Sequence, residues 1–304
     1  MGGNLMKQSQ WQGVIPAITT KFNEDFSVDL AFVARHAAWM IDHGCTGIVT
    51  PGSLGEGGAL TREEKRDMWR ACVGAVGKRT PVIAAVSSLT TAEAVMIACD
   101  AAACGCEGLM VLPPYVYKGD WRETKAYFSA VIRATPLSCM LYNNPIAYGT
   151  DTTPEQLAEL AAELPNLHAI KESSADVRRL AAIRSIVGDR IALLVGVDDL
   201  IVEGVAAGAS GWIAGLVNAF PAESVRLFNL AREGKAAEAF ELYRWFLPLL
   251  RMDVVPQFVH LIKLVQQEVG MGTETVRPPR LSLQGAIREE ALRTIRKCVA
   301  TRPG

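Results

Sequence analysis

The stretch Leu167-His168-Ala169-Ile170-Lys171-Glu172-Ser173-Ser174 sets a lysine inside what otherwise reads as a buried β-strand. A strand at the centre of an α/β protein is apolar on both faces, and an ammonium taken out of water costs several kcal/mol or gives up its proton. The other nine of the ten lysines fall in segments that read as polar helix or loop. An ordinary lysine, with a pKa of ~10.4, is a free amine in only about one molecule in a few thousand at pH 7, whereas a desolvated one is shifted toward neutrality. A free amine is a nucleophile toward ketones. The plainer reading puts Lys171 at the end of its strand, reaching solvent or pairing with Glu172.

On both sides of this strand, from Gly13 onward, short β-branched or apolar runs alternate with segments of helical period, and the alternation repeats eight times. The strand candidates span 13–19, 47–52, 81–86, 108–113, 137–143, 167–172, 191–197 and 211–217. Helices are expected to begin near Asp29, Thr61, Thr91, Asp120, Thr153, Asp176, Asp198 and Pro221, mostly at a capping residue or a helix-start proline. Thr61 with Glu64 and Thr153 with Gln156 have the capping-box spacing. Eight strand-helix units in about 220 residues predict a closed (β/α)8 TIM barrel over 13–233. An open doubly wound sheet is disfavoured by the number of units and by the lack of a GxGxxG junction. After Arg232 no strand candidate appears, and helical segments at 236–252, 256–269 and 284–300 form a C-terminal helical extension over 234–304. With no low-complexity stretch and no long linker, residues 1–304 read as a single domain, frayed at Arg302-Pro303-Gly304.

At 304 residues, 50% of them hydrophobic, with mean hydropathy +0.17, the chain has material for a sizeable core. A net charge of -1, from 31 basic and 32 acidic residues mixed along the chain, gives no field for nucleic acid or an anionic membrane. The expected partners are small molecules. Seven cysteines scattered through apolar segments suit a reducing compartment rather than a disulfide framework. Only four histidines occur, with no cluster at ligand spacing, so no metal site is expected. Residues 1–12 lack an apolar leader-like run and no stretch of eighteen apolar residues occurs, which predicts a cytoplasmic location.

In a barrel of this type chemistry sits at the C-terminal ends of the strands. Strand two ends in Thr50-Pro51-Gly52-Ser53-Leu54-Gly55-Glu56-Gly57, a turn whose glycines let backbone N–H groups converge on an anion while Ser53 adds a hydroxyl. Such turns are also ordinary βα loops. Strand four ends in Pro113-Pro114-Tyr115-Val116-Tyr117, strand five in Tyr142-Asn143-Asn144-Pro145, and strand seven in Gly196-Val197-Asp198-Asp199. Tyr142 lies one strand from Lys171, on a face it can share with the lysine, where a phenol can shuttle protons; a tyrosine in a strand can equally be core.

Taken together, Gly-Ser-x-Gly-Glu, Tyr-Asn-x-Pro, Ile-Lys-Glu-Ser and Gly-x-Asp-Asp at strands two, five, six and seven resemble the dihydrodipicolinate synthase and N-acetylneuraminate lyase family of class I aldolases. The resemblance spans roughly 13–231. It implies that Lys171 is the Schiff-base lysine, Tyr142 the acid-base tyrosine and Ser53 a carboxylate-binding, proton-relay hydroxyl. Gly196 is then expected to line the pyruvyl group, Gly52 and Leu54 to belong to the turn that holds the carboxylate, and Ser173, Asp198, Asp199 and Tyr115 to be further substrate-binding positions. Asp198 can instead cap the seventh helix. The resemblance also implies a homotetramer and no organic cofactor or metal. Three positions depart from the synthase branch: Leu54 where a second hydroxyl is usual, Val116 where a tyrosine crosses to a neighbouring subunit, and Ala147 where an arginine holds the second substrate's carboxylate.

These residues predict a Schiff-base-forming lyase in which Lys171 attacks the ketone of pyruvate or a hydroxylated 2-oxo acid and the imine serves as electron sink. The rival readings are 4-hydroxy-tetrahydrodipicolinate synthase, a dehydratase or deaminase using the same imine, and a non-catalytic sensor of 2-oxo acids. Whether Tyr115 or Tyr117 stands in for the missing relay tyrosine is left open by the sequence.

Overall fold

In a computed structural model that describes residues 5–303, the chain forms eight parallel strands closed into a barrel. Met1 to Asn4 and Gly304, which the single-domain reading includes, lie outside the described residues. The strands are β1 Gly13–Pro16, β2 Ile48–Thr50, β3 Val82–Val86, β4 Gly108–Val111, β5 Ser138–Asn143, β6 Leu167–Glu172, β7 Ala192–Val195 and β8 Gly211–Ala214. They lie in the order β1-β8-β7-β6-β5-β4-β3-β2, and a parallel bridge between Ala17 and Val49 joins β1 to β2. The observed strands are mostly shorter than the expected runs because the chain leaves the barrel at each rim, where its polar groups turn into the loops.

The helices between strands are α1 Leu30–Asp42, α2 Arg62–Val76, α3 Thr91–Ala103, α4 Trp121–Arg133, α5 Pro145–Tyr148, α6 Pro154–Glu163, α7 Arg178–Val187, α8 Ile201–Ala206 and α9 Pro221–Arg232. Asp29, Thr61, Thr90, Asp120 and Thr153 cap their helices through side-chain acceptors, and Thr61 with Glu64 and Thr153 with Gln156 close capping boxes. Two expected starts differ. Asp176 takes the Arg178 N–H two residues before α7 proper, and Asp198 opens a 3-10 turn, Asp198–Leu200, ahead of α8 without capping it. The one-turn α5 was not expected.

Each outer helix turns an apolar stripe to the sheet. On α4, Thr124, Tyr127, Phe128, Val131 and Ile132 are buried at helical spacing, and Phe128→Ala would cost about 3–5 kcal/mol through the cavity it leaves. Beyond the barrel come α10 Ala236–Leu250, α11 Phe258–Glu268 and α12 Gly285–Ala300, with a 3-10 turn Arg251–Asp253 after α10. Their buried Phe246, Ile262 and Ile295 belong to one hydrophobic core with the barrel strands.

Candidate active site

Lys171 is the fifth residue of β6, and the register sets it beside Tyr142 on β5 and Leu194 on β7. Tyr142 and Lys171 share a face, and the lysine Nζ lies 4.1 Å from the centroid of the tyrosine ring. Glu172, the next residue, points the other way, as strand alternation requires. Its carboxylate accepts from Asn143 Nδ2 at 3.1 Å and Ser174 N at 2.7 Å, and lies 3.4 Å from Arg179 Nε. Lys171 is 7% exposed and has no ion-pair partner among the described residues, so the plainer reading of a solvated or Glu172-paired lysine does not hold. Burial holds its ammonium below the usual lysine range. Gly196, just past β7, leaves the space the lysine needs: a Cβ there would overlap Lys171 Cε and Ser173 Oγ.

The sequence Tyr142-Asn143-Asn144-Pro145 builds the other half of the site. Asn144 Oδ1 accepts from Ala147 N at 3.0 Å, capping α5, while its Nδ2 donates to the Tyr142 hydroxyl at 3.0 Å. Pro145 opens the helix, and Gly149, at φ 71, ends it in the left-handed region. This single turn swings Tyr148 back over the strand. Its ring meets Tyr142 edge-on with centroids 5.7 Å apart, and its hydroxyl is hydrogen-bonded to Ser53 Oγ. Burial pushes the phenols of both tyrosines above their ordinary range. Tyr115 lies 6.3 Å from Tyr148 between ring centroids, Tyr117 turns away to Glu123, and Val116 is exposed.

In the turn after β2, the backbone N–H groups of Ser53 and Leu54 have no protein acceptor among the described residues, and the Leu54 side chain is buried. Glu56 anchors this turn from within. Its Oε1 is 2.8 Å from Lys263 Nζ on α11, and its Oε2 accepts from Arg277 N at 3.0 Å. Lys263, expected in polar surroundings, is in fact 1% exposed, because Glu56 and the Thr20 carbonyl replace its water. Among the described residues Lys65, Lys171 and Lys263 are buried, and Lys171 and Lys263 differ in what faces them. Lys263 has a counter-ion in contact, whereas Lys171 has a tyrosine ring.

The remaining sequence candidates separate. Ser173 Oγ is buried beside Lys171 without a hydrogen-bond partner among the described residues. Asp198 is fully buried, and its oxygens accept from Trp212 Nε1 at 2.9 Å, Gly215 N at 3.1 Å and Leu216 N at 2.8 Å. It holds the turn after β8 and offers little to a substrate hydroxyl. Asp199 is half-buried, 3.6 Å from Arg251. Sequence reasoning missed Tyr148 and Asp253. Asn-Pro followed by Tyr-Gly is the start and stop of a one-turn helix, a signal that could have placed Tyr148; Asp253 lies beyond the barrel and carries no local signal.

Among the described residues no group of three or more His, Cys, Asp or Glu side chains could hold a metal ion, and no helix is long and apolar enough to cross a membrane.

A (β/α)8 barrel with a desolvated lysine on strand six, faced by a tyrosine, defines a Schiff-base-forming lyase. The chain belongs to the dihydrodipicolinate synthetase family, whose model matches residues 10–298. It is 31% identical over 281 residues to a 4-hydroxy-tetrahydrodipicolinate synthase of Moorella thermoacetica, covering 92% of this chain and 95% of that one. A crystal structure of a dihydrodipicolinate synthase of Bacillus anthracis superposes with TM-score 0.90 at 28% identity, covering 97% of this chain and 99% of the other. The chloride-inhibited dihydrodipicolinate synthase of Acinetobacter baumannii, solved with pyruvate, superposes with TM-score 0.90 at 26% identity, covering 95% and 99%.

Proposed function

We propose that this lyase forms an imine between Lys171 and the ketone of pyruvate or a hydroxylated 2-oxo acid. The observation that carries the reading is the buried lysine, without an ion-pair partner among the described residues and 4.1 Å from the Tyr142 ring. The substrate carboxylate takes the unpaired N–H groups of Ser53 and Leu54 in the turn after Gly52, and Gly196 leaves room beside the imine carbon. Loss of a C3 proton then gives the enamine. Tyr142 receives that proton, and Tyr148 with Ser53 carries it onward. Tyr148 belongs to the same chain, so this relay does without the tyrosine that the synthase branch borrows from a neighbouring subunit.

Leu54, Val116 and Ala147 lack the groups with which the synthase branch completes its relay and holds its second substrate, which favours a lyase outside lysine biosynthesis. The seven cysteines are all free thiols, which supports a cytoplasmic setting. Val116 and Ile146, 77% and 72% exposed beside the site, are apolar surface that assembly into a homotetramer would cover. Incubating the enzyme with pyruvate in deuterium oxide tests the enamine step: deuterium should enter the methyl group in wild type. An unexchanged methyl group would contradict the reading.

A further inference from the structure

We propose that Asp253, carried by the C-terminal extension, gives its proton to a hydroxyl leaving from C4 of the imine-bound 2-oxo acid, so that the site eliminates water. This rests on the imine reading above and specifies its outcome.

Asp253 ends the turn Arg251–Asp253, which the Arg251–Asp199 ion pair ties to the end of β7. Its carboxyl group occupies the space where Gly215 has no side chain: a Cβ on Gly215 would overlap the carboxyl carbon and both oxygens. Gly215 lies one residue past β8, at the end of the barrel where Lys171 opens. The β7–β8 register pairs Val195 with Trp212, which sets Gly196, beside the lysine, level with Ile213 and two residues short of Gly215. At ~3.3 Å per residue and ~4.8 Å between strands those two glycine positions are roughly 8 Å apart. A carbon chain running from C2 to C4, an oxygen and one hydrogen bond of about 2.7 Å fit that interval.

Two carboxylates meet here in opposite environments. Asp198 receives three N–H donors and, although burial raises it to about 6, stays largely ionised at neutral pH. Asp253 is half-buried, so water reaches the residue, but its Oδ1 is covered and has no hydrogen-bond partner among the described residues, and burial followed by the charge of Asp198 raises its carboxyl well above the usual range. Carboxyl pairs whose surroundings drive them apart divide into a fixed anion and an acid.

Lys171 adds to C2 and water leaves, giving the imine; the C3–H pair becomes the C2–C3 double bond of the enamine as the proton passes to Tyr142. The nitrogen lone pair re-forms the imine, the C2–C3 pair moves to C3–C4, and the C4–O bond breaks. Asp253 protonates the departing oxygen, so water leaves. Hydrolysis frees Lys171 and a 2-oxo-3-enoic acid, and the proton lost from C3 returns to Asp253 through solvent.

The test compares 4-hydroxy-2-oxopentanoate with 4-chloro-2-oxopentanoate, whose chloride needs no proton to leave, in wild type and Asp253→Asn. Asparagine copies the shape and neutrality of the protonated acid but cannot release a proton. Wild type should convert both to 2-oxopent-3-enoate; the variant should lose water ~10²- to 10⁴-fold more slowly while chloride loss changes by less than about tenfold. Asp253→Glu, which keeps the acid, should restore part of the water loss and covers the case in which Asp253→Asn does not fold. Pyruvate and acetaldehyde as the only wild-type products, turnover of neither compound, or equal slowing of both in the variant would overturn the assignment. Borohydride trapping of pyruvate on wild-type Lys171 separates the outcomes: no adduct means that the imine reading itself has failed, and an adduct with any of those three results means that only the role of Asp253 has.

Discussion

The hydroxyl of Tyr148 is hydrogen-bonded to Oγ of Ser53, 95 residues earlier in the chain. The contact joins the one-turn helix after β5 to the glycine-rich turn after β2, and the Tyr148 ring meets Tyr142 edge-on. Tyr148→Phe removes the hydroxyl and keeps the ring packing. It should lower deuterium exchange into pyruvate ~10²- to 10⁴-fold while stability falls by only about 0.5 to 1.5 kcal/mol. Near-normal exchange, followed by NMR, would leave Tyr148 a packing residue.

Tyr142→Phe should be at least as damaging to proton transfer, yet slow rather than abolish trapping of pyruvate on Lys171. The variant loses the bond from Asn144 Nδ2 but keeps the ring, so the melting temperature should move by a few degrees. Exchange at the wild-type rate would pass the proton-transfer role to Tyr115 or to water.

Leu54, Val116 and Ala147 predict very slow condensation of pyruvate with aspartate semialdehyde. A purified preparation running that reaction with kcat near the ~10 s⁻¹ typical of enzymes would restore the synthase reading.

His36 predicts an acid limit to stability. It is fully buried, its Nε2 lies 3.1 Å from Asn218 Oδ1, and burial lowers its pKa to about 4. The unfolded chain takes up this proton near 6.5, so the stabilisation is complete above about 6.5 and is lost as pH falls toward about 4, at ~1.4 kcal/mol per unit. His36→Leu should flatten urea-measured stability by about that slope within the window; an unchanged slope would point to other groups.

How much of this could be read in the sequence follows from what burial does to residue pattern. A β-branched run bounded by turn residues survives any context, which is why all eight strands were found, and Lys171 stood out because charge interrupts such a run. Lys263 interrupts an apolar stretch too, Leu261-Ile262-Lys263-Leu264-Val265, but helical period hid that its whole circumference is covered. Nothing local could reveal its partner, Glu56, which is 207 residues away. Asp253 was hidden for the same reason: its role depends on the missing side chain of Gly215, and only folding brings the two together. Asp198 looked like a cap or a hydroxyl ligand because both need an acid in that position, and its satisfied contacts with the β8 turn are visible only in three dimensions.

The central claim is that Lys171 is the amine that forms the imine. Treating the enzyme with pyruvate and borohydride at pH 7, then mapping peptides by mass, should find the reduced adduct on Lys171 and on no other lysine, Lys263 included, and Lys171→Ala should lose it. Labelling that persists in Lys171→Ala, or an adduct mapped to a different lysine, would contradict the account.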